Sequence, residues 1–175
     1  MAEAILAGGC FWCTEAVFRQ LDGVSAATSG YIGGRTENPT YKQVCGGDTG
    51  HAEAIRITFD PARLSYGDLL DVFFATHDPT QLNRQGNDIG TQYRSAIFPL
   101  DDAQRAEAAN AIARAGAERT APIVTTVEGP AQWWPAEDYH QEYWEGEGQR
   151  NPYCLAVIPP KLAKLRKGFQ AKLKV

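Results

Sequence analysis

The 175-residue sequence predicts an α+β two-layer sandwich on a split βαβ plan, and three observations carry that expectation. Segments of strand period and helix period follow one another in the order β-α-β-β-α-β, with a further helix and strand behind them. Gly- and Pro-rich stretches separate them, and no internal repeat or low-complexity segment breaks the series. The length buries one sizeable core, so a single catalytic domain over residues 1–175 is expected, with residues 155–175 as a basic C-terminal segment.

Residues 4–8 (AILAG) read as a buried strand. Gly8 and Gly9 permit a tight turn into a helix over about residues 10–21, whose apolar face carries Cys13, Val17, Phe18 and Leu21. VSAATSGYIGG (24–34) reads as a second strand, and RTENPTYKQVCGGDTG (35–50) as a loop too polar and glycine-rich for a core. Long loops in compact domains tend to be functional. HAEAIRITFD (51–60) alternates, with His51, Glu53, Ile55, Ile57 and Phe59 on one face and Ala52, Ala54, Arg56 and Thr58 on the other.

SYGDLLDVFFATHD (65–78) opens on Ser65 with Asp68 three residues on, a capping-box start to a helix that buries Leu69, Leu70, Phe73 and Phe74. The loop PTQLNRQGNDIGTQ (79–92) leads into the strand YRSAIFP (93–99). DDAQRAEAANAIARAGAER (101–119) is an Ala-rich helix with acids at its N-terminus, where the helix dipole favours them. PIVTTVE (122–128) is a short strand, and residues 129–154 are aromatic, polar and broken by Gly and Pro. The order is ferredoxin-like, with a mixed sheet and an extra C-terminal segment.

The formal charge of −4 conceals an asymmetry: the last fifteen residues carry six of the seventeen Lys and Arg, leaving eleven bases against twenty-one acids in residues 1–160. An acidic body excludes a nucleic-acid surface. The end KLAKLRKGFQAKLKV is expected as a solvated basic segment rather than a partner-docking helix. No apolar run approaches the roughly 20 residues of a bilayer span, and MAEAILAGG lacks the basic start of a secretory signal, so a cytoplasmic protein with no membrane partner is expected. Four cysteines are too few for a disulfide scaffold, and in a reducing compartment they are candidates for chemistry.

Cys10 falls at the first turn of the first helix, where unpaired amides and the dipole stabilise an anion, so its thiolate is expected to form at lower pH than a free cysteine's. That placement favours a nucleophile over a small buried core residue. Phe11 and Trp12 beside it make an apolar wall suited to a methyl or thioether group, or simply core. Glu53 shares its face with Ile55, Ile57 and Phe59. It is either a carboxyl kept protonated by apolar surroundings, as a general acid requires, or a strand-end residue paired with a cation such as Arg35. Tyr41 and Tyr93 lie in or beside Gly-rich loops, where their hydroxyls either donate to an oxygen gaining charge or face water above a packed ring. Asp88 is a turn residue in GNDIG. His51, His77 and His140 with Cys10 and Cys13 lack the spacing of a structural zinc site, so no metal is expected.

GCFW after a strand, NPTYKQVCGGDTGHAEAI, HDPTQLNRQGNDIGTQYRSAIF and PAEDYHQEYW, in this order over residues 8–144, resemble the peptide methionine sulfoxide reductases of the A type. The resemblance implies the α+β fold and a thiol enzyme, without cofactor, that reduces the S epimer of methionine sulfoxide, free or in proteins, with thioredoxin as reductant; a monomer is the expected state. It implies Cys10 as the nucleophile on the sulfoxide sulfur and Phe11 and Trp12 as the wall for the substrate's methyl. Glu53 would protonate the sulfoxide oxygen, Tyr41 and Tyr93 would donate hydrogen bonds, and Asp88 would help fix the substrate.

A sulfenic acid on Cys10 needs a second thiol, and here the chain departs from the family, with Cys13 where a small non-thiol residue is usual and RNPYCLAVIPPKLAKLR in place of a glycine-rich tail. Cys154, after a stretch holding Gly146, Gly148 and Pro152, is expected to be loose enough to swing in as first resolving thiol, with Cys13 as backup or second exchange partner. Cys45 is read as structural. The rivals are a thioredoxin-like disulfide oxidoreductase using Cys10 and Cys13, which leaves HAE, GTQYRS and the tyrosines idle, and a metal-binding module.

Overall fold

The computed structural model describes residues 1–174. In chain order the elements are β1 (Ala2–Gly8), α1 (Phe11–Phe18), β2 (Val24–Ile32), α2 (Tyr41–Cys45), β3 (Ala52–Phe59), α3 (Tyr66–Thr76), β4 (Arg84–Gln85) and β5 (Asp88–Ile89). Then come β6 (Ser95–Phe98), α4 (Asp102–Ala117), β7 (Thr126–Val127), β8 (Trp134–Pro135) and α5 (Pro152–Phe169). Six strands form one sheet in the order β7-β6-β1-β3-β2-β8. Its centre, β6-β1-β3-β2, is antiparallel throughout, and β7 runs parallel to β6, so the sheet is mixed. β3 lies between β1 and β2, which is the split βαβ arrangement expected.

Alternation along the central strands sorts the core into two faces. Leu6 of β1 and Ile55, Ile57 and Phe59 of β3 join Phe18 of α1 and Leu69, Leu70 and Phe73 of α3 in the main core. Ile5 and Ala7 with Ala52 and Ala54 face the other way, into a smaller cluster closed by Phe98 and Trp133. β3 is therefore buried on both faces, and Glu53 stands on the face covered by helices. α3 starts as expected: Ser65 Oγ accepts from the Asp68 N–H at 3.0 Å while Asp68 accepts from the Ser65 N–H at 3.1 Å.

Several local expectations shift. The first helix spans Phe11–Phe18, not 10–21, because the chain leaves it beyond Phe18 to bring Leu21 against Leu173 in an antiparallel bridge. The segment 35–50 contains α2, nucleated by a reciprocal cap between Thr40 and Gln43. The loop 79–92 folds back as the hairpin β4–β5, and the strands expected at 93–99 and 122–128 shorten to β6 and β7. The basic end is neither a free solvated tail nor an unattached helix. α5 buries Cys154, Ile158 and Leu165 despite the internal pair Pro159 and Pro160. Beyond it the Lys172 carbonyl accepts from the Asp22 N–H at 2.7 Å and the Lys174 N–H donates to the Gln20 carbonyl at 2.8 Å. Among the described residues no helix is long and apolar enough to cross a membrane.

Candidate active site

β1 ends at Gly8, and Gly9 turns the chain with φ +97, a conformation L side chains rarely adopt. A Cβ there would stand 2.8 Å from the Gln85 side chain. The turn leaves Cys10 as the N-cap of α1, only 8% exposed, with its carbonyl accepting from the Cys13 N–H at 3.1 Å. Cys13, one turn along, and Cys154, from the first turn of α5, are buried with Cys10 in one cluster closed by Trp12, Tyr93, Tyr143 and Tyr153. The stretch before Cys154 is not loose. Residues Glu147–Arg150 form a 3-10 turn, and Asn151 caps α5 by accepting from the Tyr153 N–H at 2.9 Å.

Glu53 is 1% exposed and meets no cation; Arg35 instead donates to the Asp48 carbonyl at 2.8 Å. Glu53 Oε1 accepts from the Phe11 N–H at 3.1 Å, whereas Oε2 is buried with no hydrogen-bond partner. Burial pushes the carboxyl up to about 8; the Phe11 N–H pulls against this and the Asp88 charge adds to it. At neutral pH the group carries its proton. Since Oε1 accepts, that proton sits on Oε2, a buried donor waiting for an acceptor.

The thiols titrate differently from the expectation for a helix start. Burial pushes the Cys10 thiol well above the ordinary range, Cys13 and the Glu53 charge push the same way, and the Trp12 N–H opposes them. One amide of the helix start, that of Phe11, is spent on Glu53. Cys13 is drawn down, first by a hydrogen bond from the Cys10 thiol and then, against its own burial, by the Lys161 ammonium and the Tyr153 hydroxyl. Within the pair Cys13 is thus the more acidic thiol and Cys10 the one that holds its proton harder. Cys154 is pushed up to about 11 by burial and by the nearby Cys13 charge.

Aromatic rings close over the thiols. Phe11 stacks on Tyr41 with centroids 6.1 Å apart, and Trp12 lies on Tyr143 at 4.0 Å, nearly parallel. Tyr41 and Tyr93 are both pushed above the usual phenol range, first by burial and next by the charge of Glu53. Asp88 accepts from the Tyr153 hydroxyl.

All nine expected site residues thus come together around the thiol cluster, and the sequence reading overlooked several of their supports. His140, fully buried, accepts from the Trp12 indole N–H at 3.0 Å. Glu15 accepts from Ser29 Oγ at 2.8 Å and from the Glu142 N–H at 2.5 Å, tying α1 to the segment that carries Tyr143. Glu137 accepts from the Tyr31 hydroxyl at 2.7 Å and the Tyr41 N–H at 2.9 Å. Only the clustering of aromatic and acidic residues in 133–144 hinted at them. His51 orients neighbours, accepting from the Gly34 N–H at 3.0 Å and reaching the Thr36 carbonyl at 2.7 Å. Among the described residues no group of three or more His, Cys, Asp or Glu side chains is placed to hold a metal ion.

The sequence profile of the peptide methionine sulfoxide reductase family matches residues 2–173. The peptide methionine sulfoxide reductase MsrA of Erwinia tasmaniensis is 74% identical over 168 residues, covering 96% of this chain and 94% of that one. Mxr1 from Saccharomyces cerevisiae, solved in its reduced form, aligns with TM-score 0.79 and 38% identity over 85% of this chain and 86% of its own. Mxr1 in complex with Trx2 shares the fold, at TM-score 0.59 and 24% identity, over 81% of this chain and 84% of its own. With a profile match along nearly its whole length and relatives this similar, the chain belongs to the peptide methionine sulfoxide reductase family.

Proposed function

We propose that this chain, acting as one catalytic domain, reduces methionine-S-sulfoxide, free or in proteins, through a cysteine sulfenic acid and a disulfide recycled by thioredoxin. The observation that carries the reading is the buried, proton-bearing Glu53 Oε2 without a partner, on a carboxyl held by the Phe11 N–H next to Cys10. A sulfoxide oxygen leaves poorly until it is protonated, and a neutral carboxylic acid near a thiolate supplies what the step needs.

Cys10 attacks the sulfoxide sulfur while Glu53 protonates the oxygen, and Tyr41 and Tyr93 donate hydrogen bonds to it as its charge grows; the proton that Cys10 gives up restores the acid form of Glu53. The attack makes a bond between Cys10 Sγ and the substrate sulfur; the protonated oxygen then shifts to Cys10 as that S–S bond and the substrate's S–O bond both break. Methionine leaves reduced by two electrons, and Cys10, oxidised by two, is a sulfenic acid. Phe11 and Trp12 grip the substrate methyl, and Asp88 helps fix the rest of the substrate.

The order of the resolving thiols is reversed from the sequence expectation. Cys13 adjoins Cys10 and is the more acidic thiol, whereas Cys154 sits in a capped helix with its thiol at about 11. Cys13 attacks the sulfenic sulfur, water leaves, and a Cys10–Cys13 disulfide forms. Cys154 then attacks Cys13, releasing the Cys10 thiol and leaving a Cys13–Cys154 disulfide for an external dithiol. Thioredoxin is the reductant of this reading; the similar yeast protein Mxr1 has been solved with Trx2. A cytoplasmic location fits a cycle that begins from free thiols.

The test is a stereodefined sulfoxide assay with a dithiol reductant on the parent and on each of the four cysteine-to-serine variants. Reduction of the S epimer alone, abolished by C10S, is expected. Equal turnover of both epimers, or an active C10S, overturns the reading.

A further inference from the structure

Lys161 is half-buried on α5, and its Nζ donates to the Thr76 carbonyl at 2.8 Å. Among the described residues no carboxylate forms an ion pair with it. Buried charge is ordinarily paired. What Lys161 shares its surroundings with is sulfur. It lines a cavity of about 410 Å³ together with Cys10, Cys13, Asp88 and Tyr153, and a second, small void together with Cys13 and His77.

The other groups facing Cys13 leave it no alternative cation. His77, at the end of α3, is held neutral because burial pushes it down to about 3. Glu53 carries its proton at pH 7, Cys154 is an undissociated thiol, and Asp88 already accepts from the Tyr153 hydroxyl. Lys164, further along α5, only repels Lys161.

We propose that Lys161 is the counter-charge that favours the thiolate of Cys13, a positioning residue that readies Cys13 to attack Cys10 once Cys10 is oxidised. The inference rests on the sulfoxide reductase reading and deepens it. A sulfur anion one turn from the oxidised sulfur is a resolving nucleophile in place, and an ammonium beside it is what makes that anion tolerable in an apolar cluster. Once Cys13 enters a disulfide its charge is gone and the ammonium is left facing the cavity.

The test is iodoacetamide alkylation of the reduced protein across pH 5–10, with the site located by mass spectrometry, on the parent, K161M, K161Q and K161R. In the parent, Cys13 is expected to react first. In K161M and K161Q its rate at pH 7 is expected to fall by about tenfold or more with a higher midpoint, and K161R to stay within about threefold of the parent. An unchanged Cys13 profile in folded K161M or K161Q overturns the proposal, as does a parent in which Cys10 is alkylated first. Should neither variant fold, the Lys161 ammonium signal is titrated by NMR in the parent and in C13S. A lower midpoint in C13S supports the pairing and equal midpoints overturn it. Failure of the parent to reduce a stereodefined S-sulfoxide is a separate result, which strikes the functional reading rather than this charge pair.

Discussion

Replacing Glu53 by Gln separates the chemical role of this side chain from its cost to the fold. The amide oxygen can still accept from the Phe11 N–H, but the side chain has no proton to transfer. General acid catalysis contributes about 10²–10⁴-fold, so sulfenic acid formation should slow by that factor while binding weakens little. The same substitution should stabilise the protein at alkaline pH. Folding raises the Glu53 carboxyl from 4.5 to about 8, so between those values the folded protein holds a proton that the unfolded chain has released. Parent stability therefore falls as pH rises through this window and levels off above about 8. At about 1.4 kcal/mol per pH unit the loss is on the order of 5 kcal/mol, and Gln, uncharged throughout, does not suffer it. Urea denaturation of parent and E53Q at pH 5, 7 and 9 measures the widening gap, and single-turnover formation of methionine measures the acid. In the parent the single-turnover rate should also decline above pH 8. Equal single-turnover rates would remove Glu53 from the acid role, and a stability gap constant from pH 5 to pH 9 would show that its carboxyl is not raised.

The cysteine variants divide the relay. C154S should consume two thiols per sulfoxide in one rapid turnover and recycle poorly with thioredoxin, whereas C13S should leave a Cys10 sulfenic acid long-lived enough to trap with dimedone. Two thiols lost at the parent rate in C13S would make Cys154 the first resolver. H140L leaves the Trp12 indole N–H buried without an acceptor, a loss of about 1–3 kcal/mol in urea denaturation, with a raised KM as the indole loosens. An unchanged KM would detach His140 from the placement of Trp12. G9A forces Ala into φ +97, a cost of about 1–3 kcal/mol, and should lower activity by displacing Cys10; a melting temperature equal to the parent's would refute it.

Much of this architecture is legible because it is local. Alternation from His51 to Phe59 set Glu53 on the core face, and Ser65 with Asp68 marked the start of α3. The reciprocal cap of Thr40 and Gln43 was equally present in the sequence, but the polarity of its surroundings masked it. The helix start suggests an acidic Cys10, but the burial that pushes its thiol up is a tertiary effect with no local sign. Cys154 looked mobile from its glycines, yet the Asn151 cap and the anchoring of the chain end beside Leu21 hold it. Such long-range partners, like His140 on Trp12 across 128 residues, leave no periodic trace.

The proline pair of α5 bears on how Cys154 could leave its burial without the fold coming apart. Pro159 and Pro160 have no amide hydrogen, so the rungs that would join the Leu155 and Ala156 carbonyls to the following turn are missing. Below that gap Leu165 and the bridge to Leu21 stay clamped to the body of the molecule. Above it the turn bearing Tyr153 and Cys154 is held by the Asn151 cap and the Tyr153 hydroxyl on Asp88 rather than by a continuous helix ladder, so freeing Cys154 requires breaking only these local ties and its burial.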